Sequence, residues 1–250
     1  MTLPLEGRTA LVTGGSRGIG RATVLHLARA GADVAFTYLH STEQASDLVD
    51  EVEKTGRRAW ATRADSADPD ALRAAVTGSV GALGRLDILV NNAGIAEVGA
   101  IGDMTLEVID RVFAVNLRGP YLTVQAAVPH MRDGGRIITI GSILADRTYL
   151  PPYTVVSLYS AAKAGLKGMT HSLARELAPA GITINLLTVG HINTDMNPGD
   201  AEYSDFMRGH IALGHYGQPA DIAHTIVHLA GDTGAYITGT CITIDGGFNT

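Results

Sequence analysis

The sequence predicts a doubly wound α/β fold, in which one parallel sheet carries helices on both faces. Short apolar runs alternate with longer stretches of helical periodicity along almost the whole chain, and this alternation is typical of βαβ units. The 250 residues are enough for one domain with a large buried core. Because no linker, repeat or low-complexity tract interrupts the pattern, we expect a single domain over 1–250.

The alternation places the individual elements. The segment 190–218 interrupts it, and because ligands bind at the carboxyl ends of strands in such sheets, we expect this segment to form a substrate lid. The predicted strands are 8–13, 33–37, 58–63, 87–90, 136–140, 182–187 and 241–244. The predicted helices are about 18–30, 43–55, 68–82, 104–131, 157–178 and 219–230.

A glycine-rich turn, Thr13-Gly14-Gly15-Ser16-Arg17-Gly18-Ile19-Gly20, joins the first strand to the first helix. Glycine lets the chain reverse sharply and lets the backbone approach a pyrophosphate, which then meets free amides at the helix N-terminus. The glycines by themselves could equally form a flexible turn. The strand before them and the helix after them favour a phosphate site. The expected contacts are Gly14, Ser16, Arg17, Gly18, Ile19 and Gly20.

A tyrosine and a lysine stand four residues apart in Tyr159-Ser160-Ala161-Ala162-Lys163. This separation puts both side chains on one face of a helix. A phenol ordinarily ionises at about pH 10, and we expect the ammonium and an oxidised nicotinamide ring to bring its pKa toward working pH. Tyr159 would then exchange a proton with an alkoxide, and Lys163 would also hold the nicotinamide ribose. A solvated surface pair is the alternative for these two residues alone.

Four motifs in this order resemble those of the short-chain dehydrogenase/reductase family. The glycine turn matches its Thr-Gly-x-x-x-Gly-x-Gly pattern, and Asn91-Asn92-Ala93-Gly94, the Tyr159–Lys163 pair and Ile244-Asp245-Gly246-Gly247 match the others. The resemblance spans essentially the whole chain. It implies a Rossmann-like sheet and hydride transfer between a nicotinamide cofactor and a carbonyl or alcohol. It also implies a homotetramer, with interfaces near 157–178 and 241–244.

The resemblance further implies a catalytic set of Asn116, Ser142, Tyr159 and Lys163. Ser142 follows the fifth predicted strand and would give the carbonyl oxygen a second donor, while Asn116 would hold a water that relays protons outward. Alternatively, Ser142 has a structural role and caps backbone groups at the end of the strand. Asn116 could likewise be a structural residue whose side-chain amide is hydrogen-bonded within its helix. Ser142 precedes Tyr159 by 17 residues, more than in many family members, so we expect 144–156 to form a longer wall on the substrate pocket.

Further cofactor contacts are implied by the same resemblance. Asp65 would lie beside the adenine, and Thr194 would bind the carboxamide. The family's Pro-Gly before this threonine is replaced by Val189-Gly190, so His191 either faces the substrate or is structural. The remaining contacts implied are Asn91, Ala93, Gly94 and Ile192.

The end of the second strand bears on the choice of cofactor. An enzyme that prefers NAD usually has an acid there to bind the ribose 2′-hydroxyl, but this strand ends Tyr38-Leu39-His40-Ser41. Arg17 can pair with a 2′-phosphate, His40 and Ser41 can donate to it, and Tyr38 can stack on adenine. We therefore expect NADPH, with NADH as the alternative.

Composition excludes several classes of partner. The net charge is −6 and the pI about 5.8, without a run of basic residues, which argues against nucleic acid and anionic membrane surfaces. Cys241 is the single cysteine, so no intrachain disulfide can form and a reducing compartment is expected. No apolar run is long enough to span a bilayer and no signal-like segment precedes the first strand, so we expect the cytoplasm.

Together these observations predict an NADPH-dependent reductase that converts a small-molecule ketone into a secondary alcohol without a metal. A 3-oxoacyl-[acyl-carrier-protein] reductase is one alternative, but its acidic partner needs a basic face, and Arg132, Arg136 and Arg175 are too scattered to indicate one. An NAD-dependent secondary alcohol dehydrogenase is another. A dinucleotide-binding sensor is the alternative that is not an enzyme, although a sensor has no need of a proton donor at the nicotinamide end.

Overall fold

A parallel sheet forms the centre of the molecule in the computed structural model, which describes residues 3–147 and 155–250. The strands are β1 Thr9–Val12, β2 Asp33–Tyr38, β3 Ala59–Arg63, β4 Ile88–Asn91, β5 Arg136–Ile140, β6 Thr183–Val189 and β7 Cys241–Ile244. Seven strands pair in the order β3-β2-β1-β4-β5-β6-β7, and all their pairings are parallel. The predicted doubly wound α/β fold is confirmed.

Helices cover both faces of this sheet. The longer ones are α1 Gly18–Arg29, α2 Thr42–Glu53, α3 Pro69–Leu83, α4 Leu106–Phe113, α5 Gly119–Ala127, α6 Ser157–Leu177, α7 Ser204–Arg208 and α8 Pro219–Ala230. One apolar cluster joins α1, α2 and α8 to the sheet, and a second joins α3, α5 and α6 to its opposite face. Strands β1, β4, β5 and β6 are buried along their whole length, as expected of inner parallel strands with helices on both sides.

The helical stretch predicted over about 104–131 is present as an unbroken run of helical turns from Leu106 to His130, but it is not α-helical throughout. The structure instead has α4, a π-helical turn over Ala114–Arg118, α5, and a short 3₁₀ turn over Val128–His130. Pro120 lies in the first turn of α5 and has no N–H to donate to the carbonyl four residues earlier. The π turn accommodates this interruption of the helical hydrogen bonds.

The segment 190–218 lies between β6 and β7 and contains α7 together with irregular chain. Two short bridges, Ile192 with Gly217 and Thr194 with Asn197, fold it back on itself. Among the described residues, no helix is long and apolar enough to cross a membrane.

Candidate active site

One large cleft, with a volume of about 850 Å³, opens at the carboxyl ends of the strands. The strand order reverses between β1 and β4, where open α/β sheets form their ligand crevice. Nearly all of the predicted cofactor and catalytic residues line it. They are Gly14, Ser16, Arg17, Gly18, Ile19, Gly20, Tyr38, His40, Ser41, Asp65, Ala93, Gly94, Ser142, Tyr159, Lys163, Ile192 and Thr194.

The glycine turn folds tightly beneath this cleft. Gly14 has a φ of +65°, and a Cβ on Gly20 would lie 2.2 Å from the carbonyl oxygen of Gly14. Asn92 holds the turn, because its Nδ2 donates to the carbonyl oxygens of Thr13 at 3.0 Å and of Gly14 at 2.9 Å. The Thr13 hydroxyl in turn accepts from the Asn92 backbone amide at 3.0 Å. Sequence reasoning missed Asn92, although it stands inside the Asn-Asn-Ala-Gly motif.

The N-terminus of α1 faces the cleft at this turn. Among the described residues, no side chain caps this helix end at Arg17, and its first turn contains no acid. Its first amides are thus left to bind an anion, and the helix dipole favours negative charge there. This helix end and the close approach at Gly20 fit the pyrophosphate of a nicotinamide dinucleotide.

Asp65 and Arg111 form an ion pair on the wall of the cleft, where Asp65 Oδ2 accepts from Arg111 at 2.8 Å. Burial raises the pKa of the Asp65 carboxyl, but hydrogen bonds from Arg111 and from the Ala67 amide outweigh burial and leave the pKa below its usual value. Arg17 is more exposed, and its guanidinium lies 4.0 Å from the Asp195 carboxylate on the lid segment.

Tyr159, Lys163 and Ser142 come together where α6 begins beside the end of β5. The Lys163 Nζ donates to the Ile140 carbonyl oxygen at 2.8 Å and lies 5.6 Å from the centre of the Tyr159 ring. The Ser142 Oγ accepts from the Leu144 amide at 3.2 Å, and the Ser142 hydroxyl lies close enough to Tyr159 to lower the pKa of its phenol. The cluster therefore puts a phenol, a hydroxyl and an ammonium at one place in the cleft.

The pKa values of this cluster differ from the sequence-based expectation. Burial raises the pKa of Tyr159 to about 12, and the hydrogen bond with Ser142 only partly opposes it. Burial also lowers the pKa of Lys163 to about 8. Burial favours the neutral form of both groups, which opposes the lowering of the Tyr159 pKa expected from Lys163 and an oxidised nicotinamide ring.

Asn116 lies in the π turn, fully buried and outside the lining of the cleft. Its Oδ1 accepts from the Ile95 amide at 3.2 Å and its Nδ2 donates to the Ile95 carbonyl oxygen at 2.9 Å. A Cβ on Gly94 would lie 3.0 Å from the Asn116 Oδ1 and 3.6 Å from the Lys163 Nζ, so the two side chains approach each other around this glycine. The observed contacts of the amide fix the chain after β4.

Two candidates lie outside the lining of the cleft, and for His191 the structural one of the two roles considered fits its surroundings. Asn91 is 3% exposed within β4 and does not line the cleft, whereas its neighbour Asn92 does. His191 is 3% exposed, with its ring centre 5.1 Å from that of Tyr216 and 4.9 Å from that of Phe248. Burial lowers the pKa of His191 to about 4, so the imidazole is neutral and structural.

The predicted longer wall over 144–156 falls partly on residues 148–154, which lie outside the described residues. Its two ends, Leu144 and Val155–Val156, line the cleft. Within the described part of the chain, no group of three or more His, Cys, Asp or Glu side chains could hold a metal ion.

Comparisons with known proteins agree with this geometry. A family model described as enoyl-(acyl carrier protein) reductase matches residues 14–249. A cyclic-di-GMP-binding biofilm dispersal mediator protein of Escherichia coli K12 is 42% identical, over 97% of each chain. An L-rhamnose 1-dehydrogenase (NAD(P)+) of Sphingomonas sp. SKA58 is 41% identical, over 97% of this chain and 96% of the relative. The crystal structure of a short chain dehydrogenase from Burkholderia cenocepacia in complex with NADP is 49% identical with a TM-score of 0.96, over 99% of this chain and 100% of the other.

Proposed function

The chain belongs to the short-chain dehydrogenase/reductase family of oxidoreductases acting on CH–OH and C=O groups, and we propose that it uses NADPH to reduce a ketone to a secondary alcohol. One observation carries the proposal. Tyr159, Ser142 and Lys163 meet in the same cleft as an uncapped helix N-terminus and its glycine turn. A proton donor is thus combined with a site suited to a dinucleotide.

The side chains supply the proton and the stabilisation of the oxygen. Bound NADPH would supply the hydride that adds to the carbonyl carbon. Tyr159 then donates its phenolic proton to the carbonyl oxygen, which completes the alcohol. The Ser142 hydroxyl donates a hydrogen bond to the same oxygen as negative charge develops. With a pKa of about 12, the phenol keeps its proton at neutral pH and is ready for this step.

Lys163 and Asn116 act around this centre in the proposed mechanism. The Lys163 ammonium would hold the ribose hydroxyls of the cofactor from its position beside Ile140. Asn116 would support the site through its two hydrogen bonds to Ile95, with a proton-relay water beside it.

Arg17 and the end of β2 support NADPH over NADH. Arg17 lines the cleft, and β2 ends at Tyr38 without an acid that would repel a 2′-phosphate. The Burkholderia relative was solved with NADP, which agrees with this choice, while the name of the Sphingomonas relative covers both cofactors. In this proposal His40 and Ser41 donate further hydrogen bonds to the 2′-phosphate. The remaining contacts proposed for the cofactor are Gly14, Ser16, Gly18, Ile19, Gly20, Asp65, Ala93, Gly94, Ile192 and Thr194.

The arginines considered as a basic docking face for an acyl carrier protein do not support such a partner. Arg136 begins β5 and is 4% exposed, so it is both buried and at the amino end of the sheet. Arg175 lies in the last turn of α6, whereas Tyr159 lies in its first. These arginines therefore stand at the edge of the sheet opposite to the cleft.

A dinucleotide-binding sensor is the second candidate, and the name of the Escherichia coli relative favours it. A sensor would bind a nucleotide in the same cleft without turning over a ketone. A screen for NADPH oxidation with several ketones separates the two functions, because a sensor leaves NADPH unchanged.

Replacing Tyr159 tests the mechanism directly. Tyr159→Phe keeps the ring and removes the proton, so kcat should fall by at least ~10²-fold, the scale of one general acid. The dissociation constant for NADPH, followed by its fluorescence, should hardly change. Tyr203→Phe is the matched control, because Tyr203 lines the same cleft but its hydroxyl donates to Asn197 at 2.9 Å. Near-normal turnover in Tyr159→Phe would refute the mechanism.

We also propose a homotetramer in which α6 and β7 contribute interfaces. Leu166 and Leu173 of α6 pack inward, but Leu158 and Met169 of the same helix are only partly buried. Strand β7 is an edge strand, and its residues are also only partly covered. Packing α6 against a second copy would hold Tyr159 and Lys163 in place.

A further inference from the structure

Part of the cleft has an apolar surface. It is lined by Val98, Leu144, Val155, Val156, Met196 and Met207. Leu144, Val156 and Met207 are buried members of one apolar cluster, and the rings of Tyr159 and Tyr203 pack against that cluster. The surface that meets the groups beside a bound carbonyl is therefore continuous with the proton donor.

Three polar side chains of the lid segment form hydrogen bonds within the lid. The Tyr203 hydroxyl donates to Asn197 Oδ1 at 2.9 Å, and Asn193 Oδ1 accepts from the Gly199 amide at 2.9 Å. The Ser204 hydroxyl donates to the Pro198 carbonyl oxygen at 2.8 Å. Of these groups, Tyr203 and Asn197 line the cleft, and a hydroxyl-rich substrate would have to break the hydrogen bond between them to use them.

The charges that line the cleft are paired with one another along the proposed cofactor site. Asp65 pairs with Arg111, and Arg17 lies near Asp195. Lys163 donates to Ile140, and the mechanism already uses it. In the proposed mechanism Arg17 and Lys163 serve the cofactor, and Arg111 is already paired with Asp65.

The neighbouring arginines are also engaged. Arg208 of α7 pairs with Asp205, and Arg147 donates to the Phe248 carbonyl oxygen at 2.8 Å. An anionic substrate therefore finds no unpaired counter-ion in the described wall of this surface.

We infer that the substrate is a neutral ketone with an aliphatic or aromatic group beside its carbonyl, and that sugars, keto acids and phosphorylated ketones are poor substrates. This inference rests on the proposed ketone reduction. An apolar group gains by leaving water for this surface. A hydroxyl or carboxylate placed there loses its hydration without gaining a partner.

A series of 2-alkanones from 2-butanone to 2-heptanone tests the apolar surface. With NADPH, kcat/KM should rise about fourfold for each added methylene until the surface is covered, which corresponds to about 0.8 kcal/mol per buried CH₂. Ethyl acetoacetate and acetoacetate then compare a neutral and an anionic β-keto compound, and the ester should be favoured at least ~10-fold. Hydroxyacetone should be a poorer substrate than 2-butanone.

Two matched variants place the selectivity at this surface. Val98 is 64% exposed and lines the cleft, whereas Ile101 is 87% exposed and does not line it. Val98→Arg should raise kcat/KM for acetoacetate relative to its ethyl ester about two- to fivefold, the scale of one exposed ion pair. Ile101→Arg should leave that ratio unchanged, because its charge stands outside the cleft.

The outcomes distinguish the inference from the proposed function. A wild-type preference for acetoacetate or hydroxyacetone overturns the inference and leaves ketone reduction standing. An equal shift in Val98→Arg and Ile101→Arg also overturns it, since the selectivity would then not belong to this surface. If no ketone is reduced with either cofactor, the proposed function fails and the inference fails with it.

Discussion

Lys163→Met should make the cofactor-free protein more stable and at the same time inactive. Lys163 is 4% exposed, and its one described hydrogen bond is to the Ile140 carbonyl oxygen at 2.8 Å. Burial lowers the pKa of its ammonium from the usual 10.5 to about 8. At neutral pH the folded chain therefore keeps a cation where its surroundings disfavour charge. Methionine fills a similar volume without that charge.

The size of the effect follows from these values. The fall in pKa from 10.5 to about 8, at about 1.36 kcal/mol per pH unit, is a cost of about 3 kcal/mol to the folded state at pH 7. Methionine removes this cost but leaves the Ile140 carbonyl without its donor, which costs about 1–2 kcal/mol. A net gain of about 1–2 kcal/mol remains, and it should raise Tm by roughly 2–8 °C in a chain of this size.

The stability that Lys163→Met gains over the wild type should decrease as the pH rises. Below about pH 8 the lysine is charged in both folded and unfolded chains, so the full cost is present. Between pH 8 and 10.5 the unfolded chain keeps a proton that the folded chain has released, so the stability of the wild type rises with pH. The advantage of Lys163→Met should therefore be largest at pH 7 and shrink toward pH 10.5.

Urea unfolding at pH 7, 9 and 10, with a fixed protomer concentration, measures this difference. Lys167→Met is the matched control, because it removes a lysine one turn further along α6 that pairs with Asp146. This control should not stabilise the protein. The argument is refuted if Lys163→Met is less stable than the wild type at pH 7, or if its advantage is the same at every pH.

Two further predictions concern the cofactor and the assembly. Tyr38→Asp should move the ratio of kcat/KM for the two cofactors toward NADH. A carboxylate at the end of β2 repels a 2′-phosphate and accepts a hydrogen bond from a 2′-hydroxyl. A wild type that already prefers NADH would contradict the role given to Arg17. Light scattering at micromolar protein should give a particle of about four 26.1 kDa chains, and an active particle near the mass of one chain would contradict the tetramer.

The sheet could be predicted because its signal is local. Inner parallel strands are continuous apolar runs, and each run here ends at glycine or at a polar residue that starts a turn. The type of helix within the predicted stretch 104–131 was harder to predict. Pro120 was visible, but whether a proline bends, ends or is absorbed by a helix depends on the packing around it, and here a π turn over Ala114–Arg118 absorbs it.

The site was predictable where a motif determines its own geometry, as in the glycine turn and the Tyr159–Lys163 pair. Where the position of a side chain depends on strand register, as for Asn91 and Asn92, the sequence alone could not place it. Val12 of β1 pairs with Val90 of β4, which places Asn92 beside Thr13 and leaves Asn91 buried in its strand. His191 could not be assigned either, because the rings that bury it belong to residues 216 and 248, far along the chain.

Electrostatics at the cluster depends on the whole fold. The sequence places an ammonium near a phenol, and that neighbour alone would lower the pKa of Tyr159. The fold buries both groups, so the phenol holds its proton more tightly and the ammonium holds its proton less tightly. Alcohol oxidation needs a phenolate to accept a proton, whereas ketone reduction needs a phenol to donate one. The same burial that makes Lys163 costly thus keeps Tyr159 protonated, which is the form that donates to a carbonyl oxygen.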